Sequence, residues 1–558
     1  MEELSRTEGF WLSPKGSRLI YEAVDESHIP LYRITHQGQE NGLSPSLKRG
    51  MSCEEVAQAS KVSYEEHRFC FAGAKNPKVA LGVVNTDSCN NTPIWFDLEQ
   101  VFGPDFYLAK VEWLDGEDDS RDSAKAVIQL LDRRQVNLAV LLLDCETGGV
   151  TTLHVESAME GAWINLNDAF RPLPFLNKDG ISFNFLWASE RDGYRHLYIL
   201  ESSLQDPAAN QAGAKVVRRL TGPGEFIVED ILEVDKDNSC LYYMGTSPGK
   251  WLEKHLFRIK LDGDAPAVCL TESMQGQHSC VLNTKSGVLI DTVSSIEKAP
   301  VVSLYNLPDV SVNSLGEPVS ILHDATQADG RISELGDALQ PPTFHTFPST
   351  DGKVTLQAAV YKPDPEQFGE GPWPLVVATY GGPHVQYVAN TWGMMTADMR
   401  SQFLRANGFA VIKVDNRGSN RRGLVFEAPI QGNMGELEVA DQTAGVEWAI
   451  KEGIADKNRV AVSGWSYGGY MALKCLTERP DVYHAAISGA PVTDWTLYDT
   501  AYTERYMGLP QDNPEGYAKS SALAKVKDID GSLMLVHGKF WAVSYHLLSS
   551  ISKKPTRF

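Results

Sequence analysis

No stretch of the 558-residue chain approaches the run of about 18 apolar residues that a membrane-spanning helix needs. The opening MEELSRTEGF also lacks the basic region and apolar core of a secretory leader. Both gaps argue against a membrane and point to the cytoplasm. No C-x-x-C pair occurs among the eight cysteines, at 53, 70, 89, 145, 240, 269, 280 and 475, and no histidine pair stands beside them at zinc-ligand spacing. They read as small buried hydrophobes, so neither a metal nor another cofactor is expected. Positive charge is short as well: 51 Lys plus Arg against 72 Asp plus Glu leave a net charge of −21, a field that repels phosphate backbones and anionic lipid. Nucleic acid drops out as a partner. A lone N-x-T acceptor at Asn90-Asn91-Thr92 carries no weight in such a chain.

What is present fills more than one core. With 42% hydrophobic residues over this length, two domains are the starting expectation. From residue 10 to about 325, short strand-like runs alternate with Gly, Pro, Asp and Asn, and convincing helices are few. A hydrophobic phrase recurs as Leu31-Tyr32-Arg33-Ile34, Ile94-Trp95-Phe96, Leu138-Ala139-Val140-Leu141, Leu197-Tyr198-Ile199-Leu200, Leu256-Phe257-Arg258-Ile259 and Leu304-Tyr305. Its starts at 31, 94, 138, 197, 256 and 304 are 63, 44, 59, 59 and 48 residues apart. A loose period of that size with several strands in each suggests propeller blades, with an irregular pair of β-sandwiches as the alternative. Two near-motifs in this half are set aside. Gly245 to Lys250 falls one residue short of a phosphate loop and is followed by Trp251, which reads as a hairpin turn. The acidic run Asp115 to Asp119 lacks the ligand order of a calcium loop and reads as a solvated connection.

Between Asp324 and Asp351 the chain turns polar and rich in Gly and Pro, and beyond it strand and helix alternate. Strands are expected at Leu356 to Tyr361, Leu375 to Thr379, Ala410 to Val414, Val460 to Ser463, Ala485 to Ile487 and Leu533 to Val536, with a helix over Glu436 to Lys451. That pattern predicts a mostly parallel, doubly wound sheet whose ligands bind at the carboxyl ends of its strands. Gly464-Trp465-Ser466-Tyr467-Gly468 sits between such a strand and a helix ended by Pro480. It is G-x-S-x-G in strand-turn-helix context, which holds a serine hydroxyl out on a sharp turn. A serine nucleophile needs a base, a carboxylate to orient that base, and donors for an oxyanion. One donor is the N–H of Tyr467, and Tyr380-Gly381-Gly382-Pro383 is the kind of turn that supplies another.

GWSYGGY at 464 to 470, YGGP at 380 to 383 and APVTDWTLYDTAYTERYMGLP at 490 to 510 resemble the dipeptidyl peptidase IV family of the prolyl oligopeptidase group, most of all its cytosolic branch. The resemblance implies an α/β-hydrolase domain capped by a β-propeller, and release of dipeptides from free N-termini carrying Pro or Ala second. It implies domains at 1–335 (a partial propeller), 336–538 (the hydrolase) and 539–558 (a divergent tail), and a homodimer formed through the hydrolase domain. Ser466 would be the nucleophile, Tyr380 and Tyr467 its oxyanion donors, and Tyr467, Val492, Trp495, Tyr498 and Tyr502 the lining of a proline pocket. Glu2 and Glu3, before Gly9-Phe10-Trp11, resemble the paired glutamates that clamp a substrate's α-ammonium. By residue physics alone they would be a solvated chain end.

The departures lead to further expectations. The chain starts almost on the paired glutamates, which would leave a propeller edge open. After Leu533 to Gly538 the resemblance stops, and no Asp or Glu follows Asp530. The last twenty residues carry four basic side chains. Of the histidines beyond Ser466, which are His484, His537 and His546, none stands where the resemblance places a triad base. A chain without triad Asp and His is expected to be a poor peptidase, with a non-catalytic peptide-binding relative and a carboxylesterase as the other readings.

Overall fold

The computed structural model describes residues 2–36, 63–87, 92–115, 122–177, 181–263, 265–328 and 330–537. Asn90 and Asn91, the acidic run beyond Asp115, Cys53, Cys89 and the tail from 538 lie outside the described residues.

Among the described residues the first half forms five four-stranded antiparallel blades, of which the fourth and fifth are joined into one sheet by a single parallel pairing of Lys254 with Gln277. Their first strands begin at Phe10, Phe106, Arg171, Val228 and Gln277, and the last strand of the fifth blade ends at Asp324. Four of the recurring phrases, at Leu138, Leu197, Leu256 and Leu304, occupy the third strand of a blade. The first two phrases do not. Leu31–His36 pairs with Ser63–Arg68 in a hairpin inserted within the first blade, and Ile94–Trp95 is that blade's fourth strand. This insertion explains the irregular early spacing. A second repeat rides on the first: the N–H groups of Leu197 and Leu256 donate to the hydroxyls of Thr221 and Thr271, each just after its blade's fourth strand. The blades bury Leu, Val and Phe side chains against their neighbours in separate clusters, and each such side chain stabilises the fold by about 1.5–3 kcal/mol. Phe10 and Leu12 of the first blade and Val281 and Ile321 of the fifth are more than half exposed. Gly245 to Lys250 is the expected hairpin turn, with Ser247 opposite Lys250.

The second half is one seven-stranded sheet: β1 (Thr343–Pro348), β2 (Thr355–Tyr361), β3 (Trp373–Ala378), β4 (Ala410–Asp415), β5 (Ala455–Trp465), β6 (Ala485–Gly489) and β7 (Ser532–Val536). The spatial order is β1-β2-β4-β3-β5-β6-β7, with β3 to β7 parallel and β1 and β2 antiparallel to their neighbours. β1 has no counterpart in the sequence reading, because TFHTFP mixes polar residues and proline into an edge strand with one buried residue, Phe347. Helix α1 (Leu437–Lys451) packs on β4 and β5, and α2 (Tyr467–Glu478) packs on β5 and β6. Val360, Leu375, Val377, Ile412 and Val462 form the dry layer beneath them.

Loops leaving the carboxyl ends of β3, β4 and β6 meet the blades. Gln386 Nε2 donates to the Trp251 carbonyl at 2.8 Å, Arg421 pairs with Glu229 at 2.5 Å, and Ala72 N–H donates to the Tyr498 carbonyl at 2.9 Å. The end of the sheet that carries Ser466 therefore faces the propeller. No helix among the described residues is long and apolar enough to cross a membrane, and none of their His, Cys, Asp and Glu side chains cluster as a metal site.

Candidate active site

Ser466 occupies the step between β5 and α2 with φ 59° and ψ −116°. A side chain held at positive φ stores about 1–3 kcal/mol of strain, which the surroundings must offset. Here the Ser466 N–H donates to the Gly489 carbonyl at 2.9 Å and its carbonyl accepts from Tyr470 N–H at 3.0 Å. The flanking glycine is a requirement of space: a Cβ on Gly468 would lie 2.3 Å from the Thr379 carbonyl oxygen. Because α2 starts at Tyr467, that residue's N–H is among the first-turn donors without a helical acceptor. Ser466 itself is partly exposed.

Tyr380 follows β3, and its ring centre lies 6.0 Å from that of Tyr467. Only glycine permits this approach, since a Cβ on Gly382 would stand 2.6 Å from Tyr467 Cγ. The turn is tied from behind by Asn416, whose amide donates to the Gly381 carbonyl at 2.9 Å and accepts from Gln442. Tyr467 is buried, and its hydroxyl donates to Glu438 Oε1 at 2.6 Å; burial pushes the Glu438 carboxyl up to about 7. Around these rings lie Trp495, 5.5 Å from Tyr467, then Tyr502 stacked on Trp495 at 5.9 Å, and Tyr498 edge-on to both. Val492 and Trp495 are buried at the base, while Tyr380, Tyr498 and Tyr502 stay partly open. The structure thus brings Tyr380, Tyr467, Trp495, Tyr498 and Tyr502 together beside Ser466, with Val492 in the same buried core. Such aromatic faces provide rigid apolar area beside the serine.

Glu2–Leu4 is a single 3-10 turn, and of the Glu2 side chain nothing is described. The turn is anchored. Leu4 is buried in the cluster between the second and third blades, and Arg6 grips Glu22 through two bonds of 2.8 and 2.9 Å. The Glu3 carbonyl accepts from Arg505 Nη2 at 3.0 Å, and its carboxylate is near enough to raise the pKa of Tyr380, Tyr502 and Tyr506 beyond the effect of burial. Opposite ends of the chain therefore share one cleft.

Several supporting residues escaped the sequence reading. Helix α3 (Thr500–Met507) carries Glu504 and Arg505 side by side, both buried. Glu504 accepts from Arg133 Nε and Nη2, both at 2.8 Å, and from Gly73 N–H at 2.7 Å, which clasps the second blade and a first-blade loop to the pocket helix. The sequence carried no signal for them, because Glu504 and Arg505 in TERY have the spacing of an ordinary solvated helix face.

Among the described residues no histidine is hydrogen-bonded to the Ser466 hydroxyl. His484 is exposed at the amino end of β6, the far end from Ser466, and His537 directly follows β7. His546 lies outside the described residues. His384, four residues past Tyr380, is buried beside Arg505 and Arg195; desolvation first and those cations second push it down to about 3, too weak for a general base.

The N-terminal region profile of dipeptidyl peptidase IV matches residues 1–300, and that of the prolyl oligopeptidase family matches residues 395–540. Mouse dipeptidyl peptidase 8 is 30% identical and the human protein 29%, each over 96% of this chain and 62% of its own length. The chain thus spans about three fifths of these curated relatives. A crystal structure of a dipeptidyl aminopeptidase IV candidate from Bacteroides ovatus superposes with a TM-score of 0.79 at 24% identity, over 99% of this chain and 72% of that one. Propeller blades, a hydrolase sheet with a strained serine elbow, and a profile match across more than half its length converge: the chain belongs to the dipeptidyl peptidase IV family of the prolyl oligopeptidase group.

Proposed function

We propose that the cleft between blades and sheet is the site of a serine-type dipeptidyl aminopeptidase, which takes peptides with a free N-terminus and Pro or Ala second. Ser466 is the nucleophile, Tyr380 and the Tyr467 N–H stabilise the oxyanion, and Val492, Trp495, Tyr498 and Tyr502 hold the second residue. Glu2 and Glu3 hold the ammonium, whose three donors suit carboxylate partners. The observation that carries this reading is the convergence of Glu3, Tyr380 and Tyr502 from three distant parts of the chain. Cutting after two residues follows if the anchor is charged and fixed in depth, because leaving its carboxylates unpaired is costly.

Turnover also needs a base, and the described residues bring none to Ser466. On the described residues alone, the site is read as one that binds peptides and hydrolyses little. Losing triad members leaves about 10³–10⁴ over the reaction in water. Purified protein should cleave a glycyl-prolyl reporter no faster than its Ser466→Ala variant, yet bind valyl-pyrrolidide. Turnover abolished by Ser466→Ala would refute the low-activity reading, and absence of pyrrolidide binding would refute the site.

A further inference from the structure

Arg505 is 8% exposed, yet among the described residues no carboxylate forms an ion pair with it. A buried guanidinium must have its N–H donors satisfied within the fold, so its neighbours hold it in place. Those neighbours come from three separate parts of the molecule. Nε donates to Gln135 Oε1 of the second-blade hairpin at 2.6 Å, Nη2 donates to the Glu3 carbonyl at 3.0 Å, and Nη1 donates to His384 Nε2 at 3.3 Å and faces the Tyr506 hydroxyl at 3.5 Å. Gln135, Glu3 and His384 lie 370, 502 and 121 residues away along the chain. A guanidinium can reach three such segments through three separate nitrogens, whereas a lysine has only one.

His384 completes the arrangement. It belongs to the turn that begins at Tyr380 and sits at φ 61°, a conformation that external contacts must hold. Its ring stays neutral at any physiological pH, pushed down to about 3 by burial and by Arg505 and Arg195. Nε2 is therefore the acceptor, and the remaining proton is on Nδ1.

We infer that Arg505 is a positioning residue that locks the Glu3 turn to the Tyr380–His384 turn and so sets the length of peptide end that fits between the amine anchor and Ser466. The inference rests on the aminopeptidase reading and adds to it the residue that makes the anchor and the oxyanion turn one rigid body.

The test is a pair of calorimetric titrations on the full chain, with valyl-pyrrolidide and with its analogue lacking the amino group. The readout is the ratio of the two dissociation constants. Wild-type protein should prefer the amine; equal binding, or none, would overturn the site reading and this inference with it. If the preference exists, Arg505→Met should reduce it about tenfold, or 1.4 kcal/mol, while the amine-free probe binds as before. Equal weakening of both probes would make Arg505 a merely structural residue, and an unchanged ratio would remove it from the site; either result overturns the inference while the site reading stands. Should Arg505→Met fail to fold, Gln135→Leu frees Nε from the blade and leaves the guanidinium in place. It should lower the ratio severalfold, and an unaltered ratio there also counts against the inference.

Discussion

Single residues in this cleft carry more than one burden, and Tyr467 shows how. Its N–H lies at the start of α2, its ring touches Tyr380, Tyr470 and Trp495, and its hydroxyl satisfies a carboxyl that is fully buried. Tyr467→Phe keeps the ring and leaves Glu438 with the Gly435 N–H, a bond of 2.9 Å. The expected loss is about 1–3 kcal/mol of stability, the range for a buried polar group deprived of its partner. It should depend on pH. Glu438 titrates near 7 when folded, against an ordinary value of 4.5, so the native state holds a proton that the unfolded state releases, and stability falls as pH rises between those values. Removing the hydroxyl pushes the folded value higher still, so the variant goes on losing stability above pH 7, where wild type has levelled off. Thermal denaturation at pH 6 and pH 8 checks this: the deficit should be larger at pH 8.

At the scale of elements, the pocket helix depends on the propeller. Glu504 of α3 is 1% exposed at its side chain, and Arg133 supplies its charge partner while also reaching Asp105 at 2.9 Å. Nearby, the chain at Cys70 to Ala72 exchanges backbone bonds with Tyr498 and Thr500, so the loop bearing a pocket tyrosine is held as if by a strand. Arg133→Ala should cost about 3–5 kcal/mol, because it leaves a buried carboxylate unpaired. Hydrogen exchange should then quicken at residues 498–507 and at 70–74 together, and remain unchanged in β2 to β5. Acceleration confined to the second blade would mean that the clasp does not brace the pocket. These elements were unevenly legible. The β5-turn-α2 unit announced itself through its apolar run, two glycines and Pro480, whereas the β1 strand gave no periodic signal because an edge strand need not alternate cleanly.

Across the whole molecule, the two domains meet through a buried acid pair. Glu190 of the third blade and Glu427 of the hydrolase domain both accept from the Asn165 side-chain amide, at 3.0 and 2.9 Å, and Arg195 stands 3.5 Å from Glu190. One cation beside two largely buried carboxyls leaves a surplus negative charge. Burial first, then repulsion by Glu190, raises Glu427 to about 8, and burial raises Glu190 above the usual carboxyl range. The native state therefore keeps a proton that the unfolded chain gives up above its ordinary value of 4.5. Stability contributed here is present at low pH and is lost as pH climbs towards 8. Glu427→Gln, which mimics the protonated acid, should flatten that decline. Its melting temperature at pH 8 should exceed that of wild type by a few degrees, and at pH 5 the two should coincide. A parallel pair of curves would show that the pair is not sharing a proton.

The fold class and the strand-turn-helix that carries Ser466 could be read from the chain alone, because each rests on short-range physics, whereas Trp495, Tyr498 and Tyr502 were singled out only through the family resemblance. Apolar periodicity reports strand or helix within a few residues, and glycine marks a backbone that must pass another within van der Waals contact. Ser466, Tyr467 and Gly468 are neighbours in sequence as in space. What tertiary structure alone decided is the brace around them: Arg505 on Glu3, Gln135 and His384, Glu504 on Arg133 and Gly73, and Asn165 between Glu190 and Glu427. Most of these contacts join residues more than a hundred positions apart, and a charged or amide side chain has the same appearance in sequence whether solvent or a distant partner satisfies it. Burial is what distinguishes the two cases, because only away from water must every charge and amide find its partner in the fold.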